Sequence, residues 1–166
     1  AQNDTKLGFD LLSVGGTLKA YFSSDGTSWN ISGTSMGAIS TNQWQHFVVV
    51  RDGNTWAFGM DGTMNNYNIS NSMTIFDYGN PSSNTGDEVA IQIGGIEGTT
   101  SIHQGYFNEV RISDNARYDV TSSSYTVPSA AFTNDSNTIM LAHFDGTNYS
   151  NGSVGVWDDN GGSGRS

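Results

Sequence analysis

The chain contains no cysteine. It therefore has no disulfide, no thiolate nucleophile and no zinc–thiolate site, and the small disulfide-stapled scaffolds are excluded. An extracellular life stays open, because 166 residues are enough for one domain held by its core alone. Charge is also scarce. Only 13% of residues are charged, with six Lys plus Arg against 16 Asp plus Glu, for a net charge of -10. Nucleic acid is thereby excluded as a partner, since its binders need a basic face to displace phosphate counterions. Anionic membranes are excluded on the same electrostatic ground. No run approaches the roughly 20 apolar residues that span a bilayer. A charged-then-apolar leader is missing too, so any secretion signal is expected to lie outside this sequence or to have been removed.

Apolar residues are few, at 35%, yet 11% of the chain is aromatic. Four Trp, seven Tyr and eight Phe must then supply much of the burial that aliphatic residues provide elsewhere. The polar remainder is Ser, Thr, Asn and 21 Gly, a mixture suited to extracellular and virion β-proteins. The acidic balance favours solubility first, then divalent cations or neutral sugars as ligands.

Along the chain, short β-type runs alternate with turn residues, and helical periodicity is nearly absent. Strands are expected at Lys6 to Leu12, before a Val14-Gly15-Gly16 turn, and at Thr17 to Phe22, where Leu18, Ala20 and Phe22 share one face. Asp25-Gly26 turns the chain into a short strand at Trp29 to Ile31. Gln43 to Arg51 is apolar on both faces, which predicts a strand inside a sheet and covered on both sides. Asp52-Gly53-Asn54 leads to Thr55 to Met60, with Trp56, Phe58 and Met60 on one face, and Asp61-Gly62 turns the chain again. Residues 63–88 read as a long surface connection with one short strand near Met73 to Phe76. Further strands are expected at Val89 to Ile93, Gln104 to Ser113 and Thr138 to Phe144, with a single helical turn at Ser113 to Arg117. The fold class that follows is all-β: a two-sheet antiparallel β-sandwich of the jelly-roll kind over residues 1–145, with 146–166 as a Gly/Ser/Asn-rich tail or the start of a following repeat.

Two segments are more specific. Trp44 to Gly53 (WQHFVVVRDG), followed by Trp56 to Gly62 (WAFGMDG), resembles a hairpin of laminin-G-like, concanavalin A-type domains. Gly105 to Ser113 (GYFNEVRIS), with Ala116-Arg117-Tyr118 and Pro128 after it, is similar to that family's closing strand. The resemblance covers residues 7–132 and is nearest to the environmental and bacteriophage members. It implies a two-sheet jelly roll of the kind used in lectins, adhesins, laminin-like proteins and phage tail proteins. One departure stands out: the family's early "FTIEaW" strand is missing, while Met140 to Gly146 (MLAHFDG) looks like its opening strand placed late in the chain. The expectation is a piece of a larger repeat protein, the alternative being a neighbouring chain that supplies the strand or a homo-oligomer that exchanges it.

The same superfamily includes glycan hydrolases, whose paired carboxylates sit on one strand as E-x-D-x-x-E. Glu109 is followed by no such spacing, so no catalytic residue is assigned. Glu109 and Arg111, two apart on a strand, are read as a structural ion pair. His46 is read as a structural sheet histidine, and Trp44 and Trp56 as core. Exposed aromatics for sugar stacking are Trp29, Tyr67, Tyr78 and Tyr149. Calcium is the one ion suggested, with loop carboxylates Asp25, Asp61, Asp87, Glu88 and Asp145 as its oxygen donors, although aspartates in Asp-Gly pairs are first of all turn formers. The functional expectation is a non-catalytic, surface-exposed module, outside the cell or on a virion, that recognises a glycan or another surface protein. The alternatives are a purely architectural self-assembling subunit and a hydrolase relative without its carboxylates.

Overall fold

The structure, a computed structural model, describes residues 8–76, 93–94 and 103–144. These residues form eight strands and no helix, all paired antiparallel. The chain divides into two compact units, residues 1–89 with 116–127 and residues 90–115 with 128–166. The first unit holds β1 (Phe9–Val14), β2 (Thr17–Phe22) and β3 (Ile31–Ala38) in one sheet. A second sheet holds β4 (Phe47–Asp52), β5 (Thr55–Met60) and β6 (Thr63–Ser70). In the second unit, β7 (Val110–Ser113) pairs with β8 (Thr138–Ala142). The all-β sandwich read from the sequence is what the chain adopts.

Three two-residue turns set the registers. Gly15 and Gly16 both have positive φ between Val14 and Thr17, as do Asp61 and Gly62 between Met60 and Thr63. These are the dihedrals whose twist suits a tight hairpin. Gly53 carries the positive φ of the turn from Asp52 to Thr55. Alternation then sorts the side chains. Ala20 and Phe22 of the first sheet meet Trp56 and Phe58 of the second in one core cluster, with Ile31, Met36 and Met73. Phe22 lies 4.9 Å from Trp56 in a tilted pair, and Trp56 and Phe58 lie parallel at 6.1 Å. The Trp56 indole N–H donates to the Asn71 carbonyl at 3.0 Å, so this buried ring leaves no polar atom stranded.

The outer face of the second sheet is covered as well. Val48, Val50, Ala57 and Met64 pack with Val120, Tyr118 and Tyr125. The 118–125 segment also closes the edge of β6. Met64 N–H bonds the Ser123 carbonyl and Asn68 N–H the Val120 carbonyl, at 2.9 and 2.8 Å. An edge satisfied in this way is withdrawn from pairing with other chains. Where the sheets approach, Gly37 is required: a Cβ there would stand 2.7 Å from the Cβ of Met60.

Several expectations need correction. β4 is covered on both faces as read, but in the described sheet it stands at an end and β5 is central. The strand begins at Phe47 and not Gln43, because the turn at Asp61 ends β5 at Met60 and leaves only the turn residue Asp61 opposite His46 and no strand residue opposite 43–46. Trp44 is therefore outside any sheet and 69% exposed, against its reading as core. The connection read over 63–88 begins with a full strand, β6, and 73–76 is not a strand although Met73 is buried. The strand expected from Gln104 starts only at Val110, since Glu109 takes a positive φ of 55° that breaks the extended run. No helical turn follows it; Asp114 N–H bonds the Asn137 carbonyl instead. The Val89 to Ile93 strand, apart from Ile93, and the 146–166 tail lie outside the described residues.

Phe58 is fully buried at the centre of the first cluster. Phe58→Ala is expected to destabilise the chain by about 3–5 kcal/mol, the range for emptying a large aromatic site. Urea unfolding followed by tryptophan fluorescence checks this; a loss under about 1 kcal/mol would show that Phe58 is not packed as described.

Candidate binding site

The outward face of the first sheet carries the first set of candidate side chains. In β1, Leu11 packs on the core, and Phe9, on the same face but exposed at the edge, stacks on Phe22 at 5.9 Å. Asp10 then points outward, directly across the ladder from Tyr21. Tyr21 pairs with Trp29 at 5.5 Å, tilted by 58°, and both rings are partly exposed. Gly33, with a φ of 65°, lies under the Tyr21 ring, and any Cβ there would come within 3.3 Å of the phenol oxygen. Partial burial pushes the Asp10 carboxyl above its ordinary range, partly offset by a backbone hydrogen bond at Leu11. Trp29, singled out in the sequence, thus sits in a small aromatic face with a carboxyl at its edge. Tyr21 and Asp10 were not foreseen; their outward alternation opposite Phe9 and Phe22 was the signal available.

The remaining carboxylates are largely occupied. Asp25 accepts from Ser28 Oγ at 2.7 Å, from the Ser28 and Thr27 N–H groups at 2.8 Å each and from Ser23 Oγ at 3.1 Å. The Ser28 hydroxyl first, then those backbone N–H groups, hold its carboxyl well below the usual carboxylate range. Asp119 is held low in the same manner by the Thr121 hydroxyl and N–H. Asp61 accepts from the His46 N–H at 2.8 Å and from Gln45 Nε2 at 2.9 Å. Asp25 is therefore built into its own turn, Asp61 ties its turn to residues 45 and 46, and among the described residues no three His, Asp or Glu side chains gather as metal ligands. Asp87, Glu88 and Asp145, the other calcium candidates, lie outside the described residues, as do Tyr78 and Tyr149. Tyr67 is exposed on β6.

His46 is half-buried just before β4, with Nδ1 3.0 Å from the Tyr125 hydroxyl, which donates to the His46 carbonyl at 3.1 Å. Burial raises the Tyr125 phenol above its ordinary range, so it stays protonated and keeps this bond. In the second unit, Glu109 does not pair with Arg111. Its Oε1 takes a 2.8 Å bond from His143 Nδ1, and its Oε2 accepts from the Phe132 N–H at 2.7 Å. Arg111 lies over the Phe132 ring at 4.3 Å. The left-handed backbone at Glu109 breaks the alternation on which the Glu109–Arg111 pair depended.

A second feature of the first unit is an open, mostly polar cleft of about 180 Å³ lined by Gly37, Ala38, Met60, Asp61, Thr63 and Asn65. Sites that enclose a drug-sized ligand run to roughly 300–1,000 Å³; this one is smaller and open to solvent.

A family model described as the concanavalin A-like lectin/glucanases superfamily matches residues 1–120. No curated protein and no solved structure matches the chain.

Two expectations follow from these contacts. The stabilisation from Asp25 is present above the ordinary carboxylate pKa of about 3.9 and is lost as pH falls towards its depressed folded value. Melting temperatures of the wild type and Asp25→Asn should therefore differ near neutral pH and converge below about pH 4; a gap that stays constant into acid would contradict this. For Glu109→Ala, the Phe132 N–H and His143 lose their acceptor, at a cost near the low end of about 1–3 kcal/mol because the two side chains keep partial water access. Faster amide hydrogen exchange at Phe132 is the expected readout, and unchanged protection would refute it.

Proposed function

Because the chain belongs to the concanavalin A-like lectin/glucanases superfamily, we propose that it is a non-catalytic module that recognises glycans displayed on a surface. The superfamily's fold is compatible with carbohydrate or surface binding. The observation that carries the reading is the outward Tyr21–Trp29 pair with Asp10 beside it. Partly exposed aromatic rings present apolar faces to the C–H side of a pyranose, while a carboxyl at their edge takes its hydroxyls. The absence of catalysis is part of the proposal. It is supported by Asp25, Asp61, Asp119 and Glu109, each held by neighbouring N–H, hydroxyl, amide or imidazole groups. A retaining hydrolysis needs two carboxyl groups only about 5–5.5 Å apart across the sugar.

The setting we propose is extracellular, on a virion, as in a tail-fibre-like protein, or on a bacterial surface. A cysteine-free, acidic, Ser/Thr/Asn/Gly-rich composition supports it.

A glycan array combined with an assay for released reducing ends tests the proposal. The expected result is retention of defined glycans with none cut, and weaker retention by Trp29→Ala. Cleavage of any retained glycan would overturn the non-catalytic reading. Silence on the array together with ordered self-assembly would favour an architectural subunit in its place.

A further inference from the structure

The second sheet closes one of its edges and leaves the other open. At β6 the 118–125 segment takes up outward backbone groups, with Met64 N–H on the Ser123 carbonyl and Asn68 N–H on the Val120 carbonyl. β4, at the other end, has no such cover among the described residues. The register fixes which of its groups are bare. His46, whose carbonyl accepts from the Asp61 N–H at 2.8 Å, faces the β5 side, and alternation puts Val48, Val50 and Asp52 on that side too. The N–H and C=O groups of Phe47, Val49 and Arg51 therefore point away from the sheet, and among the described residues no backbone group bonds them. Edge strands are ordinarily blunted by proline, lysine or a bulge. β4 (FVVVRD) has neither residue, and its pairing with β5 runs without a register shift.

The first sheet overhangs the same flank. Phe22 of β2 lies against Trp56 and Phe58 of β5, and β3 reaches both β5 and β6. β1, on the far side of β2 from β3, therefore stands on the β4 side. The apolar residues along this flank are incompletely covered. Phe9 is 43% and Phe47 39% exposed, while Leu11 and Val49 are half-buried against the core. Arg51 shares the inner face of β4, its guanidinium 5.0 Å from the Trp56 ring centre. Its Nε donates to the Gly53 carbonyl at 2.8 Å, which leaves most of its donors unused, and among the described residues no carboxylate pairs with it.

We propose that β4 is a docking edge for an extended segment of another protein, which adds to it antiparallel as a further strand. The residues set opposite Phe47, Val49 and Arg51 exchange backbone N–H···O=C bonds with them, and their side chains fall on the inner face, on the side of β1. Those opposite Phe47 and Val49 are apolar and complete the cover of the flank. The one opposite Arg51 is acidic and takes the guanidinium donors that Gly53 leaves. Along an antiparallel partner this reads as an acidic residue followed, at alternate positions, by apolar ones. Elsewhere the segment is neutral or basic, because the whole chain carries a net charge of -10. A second copy of the chain fits the edge less well: pairing β4 with itself about Val49 sets Arg51 against Phe47 and supplies no carboxylate. No saccharide takes part, so the glycan reading of the Tyr21–Trp29 face stands or falls separately.

The test titrates the whole chain with a capped synthetic peptide in which glutamate is followed by threonine, valine, threonine, valine and a lysine tail. Companion peptides carry the same residues scrambled, glutamine in place of the glutamate, or N-methyl groups on both valines. Binding of the first peptide is expected, with about tenfold weaker binding after N-methylation, which removes donors to β4. Replacing the glutamate by glutamine and substituting Arg51→Gln should each weaken it severalfold, and the two losses together should not add. In the complex, amide exchange at Phe47, Val49 and Arg51 slows about tenfold or more. The N-methylated peptide decides the matter even where Arg51→Gln fails to fold. Equal binding of the scrambled or N-methylated peptide would overturn the proposal, as would no binding at about 1 mM peptide. Slowed exchange at Phe9, Leu11 and Ser13 with none at β4 would overturn it too. A chain that dimerises without peptide and protects the three β4 amides would give the edge to a second copy and overturn the partner proposed. Each of these outcomes leaves glycan retention untouched.

Discussion

The molecule depends on a contact between rings: Phe22 of one sheet set against Trp56 and Phe58 of the other. With so few aliphatic residues, two three-stranded sheets can hold each other only if a few large side chains fill the space between them. Trp56 and Phe58 come from β5, every residue of which is buried apart from the half-buried Thr55. That strand must therefore be covered on both faces, and the 118–125 segment supplies the second cover through Val120, Tyr118 and Tyr125. A distant stretch of chain is thereby bound to the sheet by the same strand that forms the core.

This arrangement decides where chemistry can occur. Aromatic residues that alternate inward make the interior, and those left over face water: Tyr21 and Trp29 on the first sheet, Trp44 beside the Asp61 turn. The acidic residues sort in a parallel manner. Asp25 and Asp119 hold their own turns and Asp61 ties its turn to the segment before β4, their oxygens collecting backbone N–H groups. What remains outward is a rigid surface of rings, amides and hydroxyls with little free charge, which suits reversible contact with neutral polar ligands.

Elements whose residues alternate strongly were legible from sequence. β2 and β5 occur at the bounds read for them, and the inward sets Ala20–Phe22 and Trp56–Phe58 are buried as expected. β3 and β6 were not legible, because ISGTSMGA and TMNNYNIS carry Ser, Thr, Gly and Asn in place of alternating apolar residues. Their conformation is imposed by neighbours: pairing with β2 and β5, and Asn65 and Asn66 amides that bond the Met36 and Ser35 carbonyls. Trp44 was misread because pattern does not reveal that its partner strand stops at Met60. The Glu109–His143 contact joins residues 34 apart through a left-handed backbone at Glu109, and no local spacing announces it. Of the candidate binding site, only Trp29 was visible in advance; its partners depend on which face of β1 and β2 turns outward.

Native-state amide hydrogen exchange tests the central claim most directly. If β5 is the strand on which both covers close, the amides of Trp56 to Met60 exchange only through global unfolding and are the slowest in the chain. Exchange at these positions as fast as in Phe9 to Val14, the outer strand of the first sheet, would contradict the account.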